Sequence, residues 1–508
     1  MTARRDIENR YPITGALMLA TLMMTLDSTI ANVALPHMMG SVSASQDQIT
    51  WVLTSYIIAS AIMTPLSGWL SQKFGRKPVL MLSIAAFTVA SMLCGVATNL
   101  PEIVLFRLLQ GIAGAALMPL SQAVMLDIYE PREIPQVMSI WSAAVIIGPI
   151  IGPALGGWLT ENLSWRWVFF INLPIGIAAF VTLFLFMGRD EGGRQRPFDF
   201  LGFGALLLFV GSFQLMLDRG PTQDWFNSGE IWIEAVLGVI GCYVFVIQTL
   251  SAKHPFFDRA LARDSNFVSA TVFGFFVGAM LFSTTALLPT MMQNLLGYTA
   301  LQSGYASVPR GIGSLIAFLS VPRLVVLLGA RRVLVVGLAG CTLALWQMSH
   351  FDLSMTAGPI MLSGLIQGFG TGLLFAPLTI LAYATLSPVH RVEGTIVNTM
   401  ARSLGSSVGI SALQAMLVNQ TAQEHSVLSG NIQPGDPVVS AGLPAFFDPR
   451  TSQGLTALNG EITRQAAMVA YDAVFATLVL TCFGIVPLLF MMRPPKAVVM
   501  SAEEMAAD

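Results

Sequence analysis

Gly148-Pro149-Ile150-Ile151-Gly152-Pro153-Ala154-Leu155-Gly156-Gly157 lies inside a hydrophobic run over about 137–159, long enough to cross a hydrocarbon core of ~30 Å. Four glycines and two prolines would wreck an exposed helix in water, at about 1 kcal/mol per Gly and ~3 per Pro. In lipid, neighbouring helices re-satisfy the freed backbone groups, and small residues let helices approach closely. The stretch predicts a kinked, tightly packed membrane helix suited to act as a pivot. Generic small-residue packing is the alternative, and other motifs must decide between them.

The rest of the chain has the same character. Its 508 residues are 54% hydrophobic and 11% charged, where a soluble domain carries about 25% charged residues. Fourteen apolar runs are predicted to span: 13–35, 50–70, 79–98, 102–127, 137–159, 167–187, 199–218, 230–250, 267–290, 303–328, 331–349, 357–381, 394–417 and 468–492. The first follows Arg4, Arg5 and Arg10 like a signal peptide, but it is too long for one and bears Asp27, so a retained helix is expected. Of the 26 Lys and Arg, nineteen fall at the termini and in alternate loops, and four fall on the other side. Arg107, Arg310 and Arg402 lie within spans. The positive-inside rule then puts both termini in the cytoplasm. The four cysteines are scattered through the spans and suggest neither a disulfide nor a metal site.

Polar residues inside the spans are the functional candidates, because an intramembrane charge is costly and marks a site by default. Asp27, in Leu26-Asp27-Ser28-Thr29-Ile30-Ala31-Asn32-Val33-Ala34-Leu35-Pro36, lies toward the outer half of the first span. It suits a proton-coupling group, a counter-ion for a cationic substrate, or a carboxylate tied into its own bundle. Arg107 opens Arg107-Leu108-Leu109-Gln110-Gly111 in the fourth span and must face the bundle interior, as a tuner of a nearby acid or as a structural clamp. In the thirteenth span Asn398 and Arg402 stand on one face, and Arg402 is the best second-half candidate for a cavity cation. Asn32, Gln110, Asn398 and Arg402 are the substrate-cavity candidates. Glu393 and Asp472 are secondary acids, with Glu393 and Arg391 either a gate pair or an exposed one. Asp127 reads as a solvated helix-end charge. Methionines such as Met23 and Met118 suit a polyspecific site, although most are expected to pack or to face lipid.

An internal echo relates two halves. Gln110-Gly111 precedes Pro119-Leu120 as Gln367-Gly368 precedes Pro377-Leu378, and Gly75-Arg76-Lys77 has a worn counterpart in Gly329-Ala330-Arg331-Arg332. Arg107 has no such counterpart, because Gly364 stands in its place. The predicted division is 1–190 as a six-helix bundle, 191–265 as a linker with two extra spans, and 266–508 as a second bundle. A polar loop over 418–467 is expected outside the membrane.

Several motifs together resemble one family. Gly148, Pro149, Gly152, Pro153, Gly156 and Gly157 fit the antiporter motif GxxxGPxxGG of the drug:proton antiporters of the major facilitator superfamily. The Asp27 stretch is similar to the first-helix motif of its fourteen-helix, EmrB/QacA-type branch. Gly68, Gln72, Lys73, Gly75, Arg76 and Lys77 resemble the superfamily's cytoplasmic loop signature, with Gln72 where the family has an acid. That departure puts the usual charge-relay role in doubt, and the basic residues also serve as topology determinants. The resemblance implies an all-α major facilitator fold of two six-helix bundles plus two extra helices. It implies proton-coupled export of hydrophobic or amphipathic drugs from a bacterial inner membrane by alternating access, with Asp27 and Arg107 in proton coupling. A periplasmic membrane-fusion adaptor and an outer-membrane channel are implied partners, and no cofactor or nucleic acid is expected. A dedicated exporter of one metabolite is the alternative. No HExxH, GxSxG, phosphate loop or Cys/His cluster points to an enzyme.

Overall fold

A computed structural model of the chain describes residues 8–44, 46–49, 51–130, 132–188, 197–221, 223–430, 444–447 and 451–492. Among these, fourteen long helical segments follow one another in register with the predicted spans. They are α1 (Arg10–Val42), α2 (Trp51–Phe74), α3 (Arg76–Val96), α4 (Leu100–Ile128), α5 (Ile134–Asn162), α6 (Trp167–Phe186) and α7 (Phe200–Arg219). They continue as α8 (Gly229–Ser251), α9 (Ser265–Leu295), α10 (Ala300–Leu328), α11 (Ala330–Met348), α12 (Ala357–Tyr383), α13 (Arg391–Gly430) and α14 (Ser452–Met491). Eleven of them are long and apolar enough to cross a membrane by composition. The other three are α5, α11 and α13. Helix α11 carries Arg331 and Arg332 in its first turn, and α13 is the most polar of the long helices.

Burial separates central from peripheral helices. In α12, 78% of the apolar window is buried, against 22% in α8, whose Trp232, Ile233, Val236, Val239 and Tyr243 are exposed. A polytopic chain leaves such apolar faces to lipid. The first six helices pack through the pairs α1–α5, α2–α4, α3–α4 and α1–α6, and the last six through α9–α13, α10–α12 and α11–α12. The two groups meet where α5 touches α10 and α12, and where α13 touches α2 and the inner half of α4. Helix α7 leans on both: the Thr54 hydroxyl of α2 donates to Asp218, and Ser411 of α13 donates to Leu217 O at 2.6 Å.

Breaks in the helices have local causes. Helix α4 is interrupted after Gly114 and resumes at Leu117. Pro119 has no N–H to give to Ala115 O, and the Thr64 hydroxyl of α2 reaches that carbonyl at 3.4 Å. The tight α2–α3 turn uses Gly75 at φ 90°, and the α10–α11 turn uses Gly329 at φ 82°, a region open to glycine and strained for other residues. The weak sequence echo is thus a backbone echo.

The expected outer loop over 418–467 is corrected. Helix α13 continues to Gly430 and α14 begins at Ser452, so residues 418–430 and 452–467 are helical. A forty-residue helix is ~60 Å long, roughly twice the hydrocarbon thickness. The two extensions pack on each other, with Leu458 buried and His425 Nε2 3.0 Å from Asn459 Oδ1. An apolar-span criterion ends a helix where hydropathy drops, whereas a polar helix with a packing partner carries on. Residues 431–443 and 448–450, in the middle of that expected loop, lie outside the described residues, as do residues 189–196 of the linker.

Candidate functional site

Two polar side chains of α4 and one of α6 converge on a carboxylate of α1. Asp27 in α1 and Arg107 in α4 are both fully buried, and Arg107 Nη1 meets Asp27 Oδ2 at 2.6 Å. Gln110, one turn beyond Arg107, donates from Nε2 to Asp27 Oδ1 at 2.8 Å and accepts from Arg107 Nη1 through Oε1 at 2.9 Å. Asn172 of α6 donates to the same Asp27 Oδ1 at 2.9 Å and to Ser91 Oγ of α3 at 2.9 Å. Arg107 also donates from Nε to Val52 O of α2 at 3.0 Å, and its guanidinium lies 4.2 Å from the centroid of the Tyr56 ring. Its Nη2 has no hydrogen-bond partner among the described residues. Five helices therefore hold one neutral ion pair, with both Asp27 oxygens engaged. Such bonds to both carboxylate oxygens offset much of the cost of burying the pair.

The opposite side of α1 meets the glycine ridge of α5. A Cβ on Gly148 would overlap Thr25, one on Gly152 would overlap Thr29, and one on Gly156 would press on Ile30. The close approach lets the Thr29 hydroxyl donate to Gly148 O at 3.3 Å and Thr25 to Ala144 O at 3.5 Å. Helix α1 is thus clamped between the ion pair and the ridge. Pro149 and Gly157 are half-buried on the same helix, and the Pro153 side chain is outside the described part.

The loop-signature residues gather at the inner ends. Gln72 Nε2 donates to Glu393 Oε1 at 3.1 Å, and the Asp258 backbone N–H donates to Glu393 Oε2 at 3.1 Å. Asp127 accepts from Arg76 and, at 3.0 Å, from Arg391, which also donates to Leu126 O at 3.1 Å. A Cβ on Gly68 would overlap Ile396, so α2 and α13 touch there. Glu393 and Arg391 each reach across to the first six helices, and Asp127 is a bridge between the halves. Lys73 is exposed with its ammonium 4.6 Å from the Trp69 ring centroid, and Lys77 donates to Phe184 O at 3.0 Å.

The second half carries two guanidiniums. Arg310 of α10 donates to Thr285 Oγ1 at 3.0 Å, to Thr284 Oγ1 at 2.8 Å and to Gln367 Oε1. Arg402 of α13 is half-buried, donates to Met118 Sδ of α4 at 3.4 Å and lies 5.4 Å from the Phe375 ring centroid. Asn398 is buried one turn before it, against the position of Gly274. Asn32 is exposed, and Gln110 belongs to the Asp27 cluster. Asp472 is half-buried near the middle of α14, just past its outward extension, with Oδ1 unpartnered among the described residues.

Sequence reasoning left out Asn172, Tyr56 and the Thr284–Thr285 pair. Asn172 had a signal, an amide inside an apolar span. Tyr56 and the threonines are too common in membrane helices to stand out singly. Among the described residues no group of three or more His, Cys, Asp or Glu comes together to hold a metal ion.

Comparison with known proteins follows this geometry. The model of the Major Facilitator Superfamily matches residues 17–410. The chain is 34% identical to the multidrug export protein EmrB of Escherichia coli (strain K12), over 95% of each chain. It is 32% identical to the fatty acid resistance protein FarB of Neisseria gonorrhoeae, over 95% of this chain and 96% of that one. Among solved structures, the human organic anion transporter MFSD10 superposes with a TM-score of 0.58 at 14% identity, covering 93% of this chain and 99% of that one. That last likeness speaks for the fold alone.

Proposed function

The chain belongs to the Major Facilitator Superfamily as an EmrB-like multidrug transporter, and on that premise we propose that it exports hydrophobic and amphipathic compounds in exchange for protons. The observation that carries this reading is Asp27, fully buried and held by Arg107, Gln110 and Asn172. Ionised, it binds α1 to α4 and α6 through charge-assisted bonds, about twice as strong as neutral ones. A proton taken from the outer side neutralises it and loosens that side of α1. The other side of α1 is seated on the α5 ridge, and α5 touches α10 and α12, so the change reaches the junction between the halves. At the inner ends, Gln72–Glu393 and Asp127–Arg391 hold the halves together, and releasing them opens the transporter inward. Alternating access then consists of two six-helix bundles rocking about a central substrate site. Each proton entering down ~100 mV supplies ~2.3 kcal/mol, about 1.7 decades of substrate gradient.

The chain is a multi-pass membrane protein, and we place it in a bacterial inner membrane with both termini cytoplasmic. Its paired outward extensions, 418–430 and 452–467, are the docking surface for a periplasmic adaptor leading to an outer-membrane channel. The test of coupling uses wild type and Asp27→Asn in proteoliposomes under an imposed pH gradient, with lumenal pH and a lipophilic dye followed together. Substrate-dependent proton flux in wild type is expected to fall at least tenfold in the variant. Equal flux in both would move coupling to another acid, and dye movement indifferent to the gradient would overturn the antiporter reading.

A further inference from the structure

Charge inside the membrane-spanning helices is unevenly matched. Arg107 has Asp27, whereas neither Arg310 nor Arg402 has a carboxylate within 4.0 Å among the described residues. Arg310 is at least surrounded by two hydroxyls and an amide oxygen. Arg402 has much less. Its hydrogen-bond acceptor is a thioether sulfur, a weak acceptor for a group with five N–H donors. The Phe375 ring face supplies a further contact, and the buried Tyr383 hydroxyl lies close enough to interact with Arg402 electrostatically.

Position makes the deficit informative. Arg402 is eleven residues beyond Arg391, so about 16 Å along α13 from its inner end, near the middle of the hydrocarbon core. It sits at the junction of the halves, with Met118 from the first and Phe375 from the second. An intramembrane guanidinium normally faces a carboxylate or backbone carbonyls, and where it does not it marks a substrate path. Asp27 cannot serve a cationic substrate in the same way, because Arg107, Gln110 and Asn172 already occupy its oxygens. Among the described residues, the interior therefore offers a mid-membrane cation with a weak acceptor and, at that depth of the junction, no carboxylate bonded to it.

We infer that Arg402 is the head-group site for carboxylate-bearing amphipathic substrates, whose apolar body lies against Met118 and Phe375. This rests on the exporter reading above and narrows its substrate class. A planar carboxylate matches the guanidinium fork, two donors to two oxygens. A soft thioether and an aromatic face tolerate apolar bodies of varied shape. Export of such an anion against one entering proton moves two unit charges per cycle, while export of a neutral compound moves one. At 100 mV the limiting gradients are about 2,500-fold and about 50-fold respectively.

The test uses the full-length chain in nanodiscs and three probes of one chain length: dodecanoate, its methyl ester and dodecyltrimethylammonium. Wild type is expected to bind dodecanoate at least tenfold tighter than either of the others. Arg402→Gln is expected to bring acid and ester within twofold, and Arg402→Lys to restore part of the preference. Met118→Glu, which keeps Arg402 but supplies an internal carboxylate, is expected to abolish the preference too, so the result does not hang on one variant. A wild type that binds acid and ester equally, one that prefers the ammonium probe, or a preference that survives both Arg402→Gln and Met118→Glu would overturn the inference. So would chloride alone displacing dodecanoate, which would make this an inorganic-anion site. Proteoliposome export of the ester is read in parallel. Gradient-driven ester export without acid preference leaves the exporter standing and removes the anion site; acid preference without gradient-driven export of any probe removes the antiporter instead.

Discussion

The two halves of the molecule build the same corner with the guanidinium on different helices. In the first half, Gly111 of α4 lies so close to α2 that a Cβ would strike Tyr56 O. In the second, Gly368 of α12 lies so close to α10 that a Cβ would strike Arg310 O. Tyr56 and Arg310 thus occupy corresponding places, each beside the Gln-Gly pair of the fourth helix of its half. Where the first half puts Arg107 on α4, stacked over Tyr56, the second has Gly364 on α12 and takes its guanidinium from α10. Among the described residues, only the first corner contains an acid. The lesson is that a repeated backbone corner can hold an ion pair in one copy and a guanidinium met by neutral partners in the other.

The sharpest way to break this comparison is to remove each guanidinium. Arg107→Met leaves Asp27 buried without a counter-charge and is expected to cost about 3–5 kcal/mol. Arg310→Met strands no charge and should cost about 1–2 kcal/mol, mainly for the Gln367 oxygen left unpaired. Thermal unfolding in detergent or lipid reads both, and equal losses would erase the asymmetry. Next come the shared glycines. Gly111→Ala and Gly368→Ala each force backbones apart, at about 1–3 kcal/mol. Similar losses would support a common corner, and a loss at one site alone would argue against it. The smallest expected difference concerns the amides. Gln110→Leu removes a donor to an ionised carboxylate, about 1.5–3 kcal/mol, and Gln367→Leu removes neutral partners of Thr284 and an oxygen partner of Arg310, about 1–2 kcal/mol. Transport by Gln110→Leu should also respond differently to external pH from wild type, while Gln367→Leu should retain the wild-type pH profile.

Much of this corner was legible beforehand. Asp27, Arg107 and Gln110 stand out because each is a polar group within an apolar span, and such groups are rare. The Gln-Gly-Pro-Leu echo and the Gly75–Gly329 echo are visible as spelling, and the positive φ at both turn glycines supplies the physical reason. The counterpart of Arg107 was not legible, since the fourth helix of the second half has Gly364 in that place and the guanidinium stands on α10. The same holds for Asn172, whose importance depends on which carboxylate α6 brings beside it. The outward extensions of α13 and α14 were misread because polarity ends a membrane span without ending a helix.

The sequence alone determined the class of solvent, the number and order of long helices, and the sparse polar residues that a membrane interior does not tolerate without a role. These follow from local composition: each span must satisfy its backbone internally and match the bilayer thickness, so length and hydropathy suffice. Only the tertiary structure decided which charges were compensated. That Asp27 is fully engaged, that Glu393 and Arg391 reach across the halves, and that Arg402 meets a sulfur depend on contacts between residues 80 to 321 positions apart. Coulombic and hydrogen-bonding terms fall off within a few ångströms in their strong form, and no spacing along the chain encodes them.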